Sequence, residues 1–354
     1  MARAGGGPAG GPLHGIRGRG RDFGGWIRRD RWTRGGAPFM SAISRRWRLL
    51  LRLLQRLPQG ALSRATGALA DVPLPRVLRG PVIGGFARVV GVDQGEVAGS
   101  PRDFPSVGAF FVRRLRDGVR SWPDDPRVLA SPVDGVVGAL GEIREGTVLQ
   151  AKGMPYQVAD LLAHPASPDL DARRLEGGRY LTLYLSPRHY HRIHAPASGG
   201  LVRAQAIPGR LLPVNEPAIQ GIPRLFPRNE RLVLWMEVEG ALLALVAVGA
   251  FNVGRISVSF DEEWNGPGGK GVTNRPGRQG EGSRNYAPPL SLARGDEVAA
   301  FHLGSTVVLL VGPDAEGQVP GLAPHLRPGD EIRLGDPLTV RSTGPGPAPG
   351  LGRR

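Results

Sequence analysis

Downstream of residue 104 the chain alternates short apolar runs with clusters of Gly, Pro and Asp. The runs at 133–140, 147–152, 180–185, 232–239, 242–248, 255–260, 297–301 and 306–311 have strand length and are bounded by turn-forming residues. That spacing predicts β-strands. No steady alternation of strands with helices runs through the region. The pattern therefore predicts an α+β fold built on a mainly antiparallel, β-rich domain. The longest apolar stretch, 241–251, follows the strand-like segment 231–240 and reads as the second arm of a hairpin. It is too short for a bilayer span, which takes about 18–20 apolar residues. Residues 261–289 are rich in Gly, Pro, Asn and Arg and predict a long loop; loops of that length are often functional.

The upstream pattern is helical. Ile43, Trp47, Leu50, Leu54 and Leu57 recur at steps of three and four residues, with Leu49, Leu51 and Leu53 widening the apolar side. Arg45, Arg48, Arg52 and Arg56 line another face, and Pro58 and Gly60 end the segment. This predicts a basic amphipathic helix over 41–57. Such a helix packs on its own domain or lies in a membrane interface. Its arginine density and lack of acids favour the interface. From 61 to about 91 further helical pieces are expected, broken at Pro73, Pro75 and Pro81, and 110–115 closes another.

Charge sharpens this division. The net charge is +15, and residues 1–56 hold 13 Arg against Asp22 and Asp30 only, a local net of +11. Basicity is thus an N-terminal property. Residues 1–40 are Gly/Arg-rich and without periodicity, and predict a disordered tail. It reads as dispensable, or as lying upstream of a start at Met40. Its 17–21 stretch of alternating Arg and Gly resembles RNA-binding tracts. The modest charge of the main domain and its lack of interleaved aromatics argue against a nucleic-acid partner. No apolar segment followed by a small-residue cleavage site marks a secretory signal. The chain has no cysteine, which excludes disulfides, thiolate metal sites and a cysteine nucleophile.

Three of the seven histidines, His189, His191 and His194, fall within six residues. A zinc site wants three or four ligands, yet no acid lies between Glu176 and Glu216. Acid–base chemistry is the second reading, and loop histidines bonded to backbone the third. Asp134, in Ser131-Pro132-Val133-Asp134-Gly135, has the composition of a turn. Ser305 sits in Leu303-Gly304-Ser305-Thr306, leading into the 306–311 run. A serine, a base and an acid are present together. The serine follows a glycine in an apolar strand, not the strained elbow of a hydrolase. That context favours a serine that attacks its own chain.

The ordered motifs carry a resemblance. They are 110–116 (Phe-Phe-Val-Arg-Arg-Leu-Arg), 131–135, 149–153 (Leu-Gln-Ala-Lys-Gly) and 184–194 (Tyr-Leu-Ser-Pro-Arg-His-Tyr-His-Arg-Ile-His). Then come Pro213-Val214-Asn215, Asn229-Glu230-Arg231, Val248-Gly249-Ala250 with Val253-Gly254, and Gly295-Asp296-Glu297 leading to 301–306. Over roughly 104–340 the chain resembles the phosphatidylserine decarboxylases, pyruvoyl-dependent enzymes made as self-cleaving proenzymes. Its cleavage tripeptide is Gly-Ser-Thr, as in many bacterial members.

The resemblance implies a triad in which Asp134 orients His194 and His194 takes the proton of Ser305 Oγ. Oγ then attacks the Gly304 carbonyl. Elimination and loss of ammonia leave a pyruvoyl group at 305, so that a β chain ends at 304 and an α chain begins at 305. This covalent pyruvate is the implied cofactor, with no metal. It would decarboxylate phosphatidylserine to phosphatidylethanolamine through a Schiff base. His191 or His194 would reprotonate the product, with His191 the candidate. The implied organisation is a tail at 1–40, a helical membrane-associating region at 41–100, the decarboxylase domain at 101–340 and a disordered tail at 341–354. The implied setting is peripheral, on an anionic membrane at the cytoplasmic face of a bacterial cell membrane. Oligomeric state stays open between one copy and a homo-oligomer. The rival reading is a Ser-His-Asp hydrolase using Ser305, His194 and Asp134 in an uncut chain.

Overall fold

A computed structural model describes residues 56–150, 153–162, 170–251, 255–266, 269, 271–274, 282–302 and 304–340. The 1–40 tail, the 341–354 tail and nearly all of the 41–57 helix lie outside the described residues. Among the described residues, fifteen strands follow three N-terminal helices: α1 (Gln59–Ala70), α2 (Arg76–Val90) and α3 (Val107–Phe111). The strands are β1 (Gly135–Glu142), β2 (Thr147–Gln150), β3 (Met154–Gln157), β4 (Arg179–Tyr184), β5 (Arg192–His194), β6 (Gly199–Ile207), β7 (Arg231–Val238) and β8 (Ala241–Val248). They continue with β9 (Ile256–Val258), β10 (Gly282–Leu292), β11 (Glu297–Phe301), β12 (Thr306–Val311), β13 (Gly321–Leu322), β14 (Glu331–Ile332) and β15 (Thr339–Val340). The fold is α+β and mainly antiparallel, as the run pattern predicts.

An eight-stranded sheet runs β10-β6-β7-β8-β12-β4-β1-β14, every neighbouring pair antiparallel. A three-stranded sheet, β5-β11-β9, packs on one face. There Val307 and Leu309 of β12 share a core with Ile193, Val258, Val298 and Phe301. On the other face Val308 and Leu310 meet Tyr156, Leu161, Leu162 and Phe226 from small helices and the β2–β3 hairpin. Burial on both sides explains why β8 and β12 are unbroken apolar runs with every residue buried. Residues 241–248 of the long apolar stretch are therefore an interior strand, paired with β7 as the second arm of a hairpin. Among the described residues no helix is long and apolar enough to cross a membrane.

Seven strands escape the run pattern: β3, β5, β6, β10 and the two-residue β13, β14 and β15. The predicted 261–289 loop is shortened, because β10 begins at Gly282. It is an edge strand, and its register on β6 shifts between Asn285 and Leu290, which accommodates Pro288 and Pro289. Pro81 lies inside α2 rather than breaking it. The proline removes one helical hydrogen bond, and the buried Ile83, Gly84 and Ala87 hold the helix in place through packing.

The start of α1 docks on the sheet domain. Gln59 Oε1 accepts from the Leu211 N–H at 3.2 Å, and Arg64 donates to Asn274 Oδ1 at 3.0 Å. The Asn274 N–H donates to Glu230 at 2.6 Å. Burial pushes the Glu230 carboxyl from 4.5 up to about 7, against the opposing Asn274 bond and Arg64 charge. A raised carboxyl retains its proton in the folded state while the unfolded chain has lost it. Stability should thus fall as pH rises from about 4.5 to 7 and then level off. Glu230→Gln should flatten that slope and stabilise the chain at pH 8 by up to ~3 kcal/mol. Urea midpoints at pH 5 and pH 8, in an uncut Ser305→Ala background, check this.

Candidate active site

Gly304 and Ser305 lie where the chain crosses between the two sheets, after β11 of the smaller and before β12 in the middle of the larger. The Ser305 carbonyl accepts from the Leu185 N–H at 2.8 Å, which fixes the downstream side of the crossing. Ser305 is 0% exposed, and its Oγ has no hydrogen-bond partner among the described residues. A buried hydroxyl without a partner costs free energy, so its retention points to a use. Gly304 is closely packed. A Cβ there would come 3.0 Å from the Leu185 carbonyl oxygen and 3.4 Å from His191 Nε2.

That contact brings His191 to the crossing. Its ring is fully buried, and both ring nitrogens lack partners among the described residues. Burial, then the charges of Arg113 and His189, hold it well below the usual histidine range, so the imidazole is neutral. The segment that carries it leaves the end of β4 and is held by the 110–116 motif. The Phe111 ring packs on His191 with centroids 4.2 Å apart. Arg113 Nη2 donates to the carbonyls of Arg188 and His189 at 2.9 and 3.0 Å. Arg192 Nε donates to the Val112 carbonyl at 2.8 Å. In the sequence this motif carries part of the resemblance and no visible role. Its partners lie about eighty residues downstream, and no local periodicity signals such a clamp. His189 itself accepts from the Ser186 N–H at 2.9 Å, the turn-forming role of a loop histidine.

His194 lies on β5. Its Nδ1–H donates to the Gly295 carbonyl at 2.6 Å, which leaves Nε2 to accept from the Tyr190 hydroxyl at 3.1 Å. The Tyr190 ring stacks on it. Burial lowers its pKa, and the bond to Gly295 opposes that shift. Asp134 is engaged elsewhere. Arg120 donates to its two oxygens at 3.1 and 2.7 Å, and the Leu334 N–H donates to Oδ1 at 2.7 Å. Arg120 also bonds Glu96 at 2.8 Å. The three expected triad members thus share a neighbourhood but not a hydrogen-bonded chain. Tyr184 of β4 pairs with Val136 on one side and Thr306 on the other. Asp134 and Ser305 therefore sit at the same end of the sheet, about two strand spacings or ~10 Å apart. The His194 N–H donates to the Pro132 carbonyl at 2.9 Å, two residues from Asp134. Among the described residues no three His, Asp or Glu side chains converge as metal ligands.

Comparison with known proteins bears directly on this arrangement. The family model described as phosphatidylserine decarboxylase matches residues 107–339. The phosphatidylserine decarboxylase proenzyme of Anaeromyxobacter sp. (strain K) is 40% identical over 291 residues, 82% of this chain and 98% of that protein. The chain belongs to the phosphatidylserine decarboxylase family. The proenzyme of Azotobacter vinelandii is 39% identical over 295 residues, 82% of this chain and 97% of its own. That of Halorhodospira halophila is 39% identical over 302 residues, 84% and 96% of the two chains. The match covers both sheets, the histidine segment, the crossing at 304–305 and most of the strands after it. Ser305 is sealed inside the fold, a setting unsuited to a hydrolase that must admit a separate substrate to an intact serine.

Proposed function

We propose that this chain is a phosphatidylserine decarboxylase proenzyme that cuts itself between Gly304 and Ser305. The carrying observation is a fully buried Ser305 Oγ without a partner, beside a glycine packed against an unpartnered imidazole. Such a hydroxyl can reach its own backbone and little else. Oγ attacks the Gly304 carbonyl carbon and turns the amide into an ester. Loss of the Cα proton and cleavage of the Cβ–Oγ bond then free a β chain ending in a carboxylate at 304 and leave dehydroalanine at 305; one water hydrolyses its imine form, ammonia leaves, and residue 305 becomes the start of the α chain. Gly304 suits the attacked position because the approach leaves no room for a side chain. The resulting pyruvoyl group supplies a carbonyl that condenses with the substrate amine and takes up the electron pair as carbon dioxide leaves.

Following the family resemblance, His194 is the base for the cut, oriented by Asp134, and His191 returns the proton during decarboxylation. The close approach of His191 to the crossing supports its role at residue 305. For the cut, His194 has to leave Tyr190 and Asp134 has to share its carboxylate with Arg120. The 3.4 Å separation between His191 Nε2 and a Cβ position at Gly304 favours a second reading, in which His191 itself is the base. Separate variants of the two histidines decide between them. Intact mass spectrometry of purified protein tests the whole proposal. It should give two chains, the smaller beginning at a carbonyl-bearing residue 305. One uncut polypeptide in active material would overturn it.

The substrate amine lies at a bilayer surface, so the helical region is proposed to sit on anionic lipid, with no nucleic acid as partner. Leu69, Val77 and Val89 on α1 and α2 are 75%, 82% and 76% exposed, with Arg76 and Arg88 beside them. Apolar side chains among arginines suit an interface of anionic headgroups. The triple change Leu69→Asp, Val77→Asp and Val89→Asp should weaken vesicle cosedimentation at least about tenfold. Its basis is the loss of apolar insertion at roughly 1.5–3 kcal/mol per side chain. Unchanged binding would move the contact elsewhere, and deletion of 41–57 would then test the preceding segment.

A further inference from the structure

One half-buried polar chain takes no part in the chemistry above. Asp71 follows directly on the end of α1 and forms a two-point ion pair with Arg255, Nη1 to Oδ2 at 2.7 Å and Nη2 to Oδ1 at 3.2 Å. The same Nη2 lies 2.7 Å from His302 Nδ1. A guanidinium can only donate, so Nδ1 accepts and the proton of the neutral ring sits on Nε2. That Nε2–H donates to Ser257 Oγ at 3.0 Å. The His302 N–H donates to the Arg255 carbonyl at 3.1 Å, and Ser257 pairs with Ala300 across β9 and β11. Burial, with Arg255 and Arg192, lowers His302 to about 3, so the ring is neutral and its tautomer fixed.

The place of this chain in the fold gives it meaning. His302 lies two residues before Gly304, on the side of the crossing opposite the bond between Ser305 and Leu185. Asp71 also touches α3: a Cβ at Gly108 would come 2.2 Å from its Oδ1. The same short helix carries Phe111 to the ring of His191. Two routes thus run from the helical region to the crossing, one through Arg255 and His302 and one through α3.

We propose that Asp71, Arg255 and His302 form a positioning relay that holds the upstream arm of the 304–305 bond, so that self-cleavage proceeds only once α1 has docked on the sheet domain. The inference rests on the cleavage reading and goes beyond it, since none of these side chains touches the reacting atoms. Attack needs oxygen and carbon about 3–3.5 Å apart, and a displacement of about 1 Å costs on the order of a hundredfold in rate. An arm held by His302 stays within that tolerance, and an arm released from Arg255 does not.

The test follows splitting of freshly translated full-length chain over time, in a double-variant cycle of Asp71→Asn, His302→Phe and both. Each single change should slow splitting about tenfold or more, and the pair should be no slower than the worse single, because both break one chain of contacts. Asp71→Glu should restore most of the rate. Urea midpoints of the same changes in a Ser305→Ala background separate positioning from loss of fold. Splitting at the normal rate in either single variant would overturn the proposal. So would slowing that is additive and matched by a falling midpoint. The unaltered chain serves as control: if it does not split, the cleavage reading itself fails.

Discussion

Ser305→Ala should leave a single uncut polypeptide with no decarboxylase activity. The alanine lacks the oxygen that must become the ester, so no base in the vicinity can replace it. It also lacks the β-oxygen whose departure with the Gly304 carboxylate would leave the dehydroalanine that water converts to the carbonyl. Both the cut and the later chemistry are lost, and activity on phosphatidylserine should fall by about 10⁴-fold or more, toward the uncatalysed background. The fold should survive, because the buried Oγ has no partner among the described residues and its removal leaves no donor or acceptor unsatisfied. A denaturing gel and an assay of released carbon dioxide measure the two effects. Normal splitting in this variant would remove 304–305 as the site.

The second large effect separates the histidines. His194→Ala should slow splitting about a hundredfold or more, the usual scale for removing a positioned base. His191→Ala should still split, but the cut enzyme should lose between about 10² and 10⁴ in decarboxylation rate. Measuring the fraction cut first, and then the rate per cut molecule, keeps the two steps apart. If His191→Ala stays uncut while His194→Ala matures, the roles are exchanged and the proximity of His191 to Gly304 decides the base. Asp134→Asn is a less selective probe. It also disturbs the Arg120 pair and the Leu334 bond, and breaking a buried ion pair costs about 3–5 kcal/mol of stability.

How far the site was legible in the sequence depended on the range of the interaction. β7, β8 and β12 read directly from their apolar runs, because neighbours cover both of their faces. β6 was missed because glycines, small alanines and polar residues interrupt it, and its burial is only partial. β5 is three residues long and hidden in the histidine segment. The candidates Gly304, Ser305 and His191 stand out in the sequence through ordered motifs. The partner that occupies Asp134 does not, since Arg120 lies in an irregular stretch without periodicity. The link between Asp71 and Arg255 spans 184 residues and arises only when the helices fold back on the sheet. Asp134 illustrates the limit: its residue type suits a turn, an ion pair or a triad equally, and only tertiary neighbours discriminate among them.

The location of β12 has a consequence for the order of events in the cell. Six residue pairs join it to β4 and six more to β8, in the interior of the large sheet. On the proposed cut, the small fragment would begin as a rung locked in a ladder that its larger companion supplies on both sides. Two pieces synthesised apart would have to find this register by collision. A chain that folds first and is severed afterwards would inherit it, and the proposed newborn carbonyl would stay tethered to the walls that give it work.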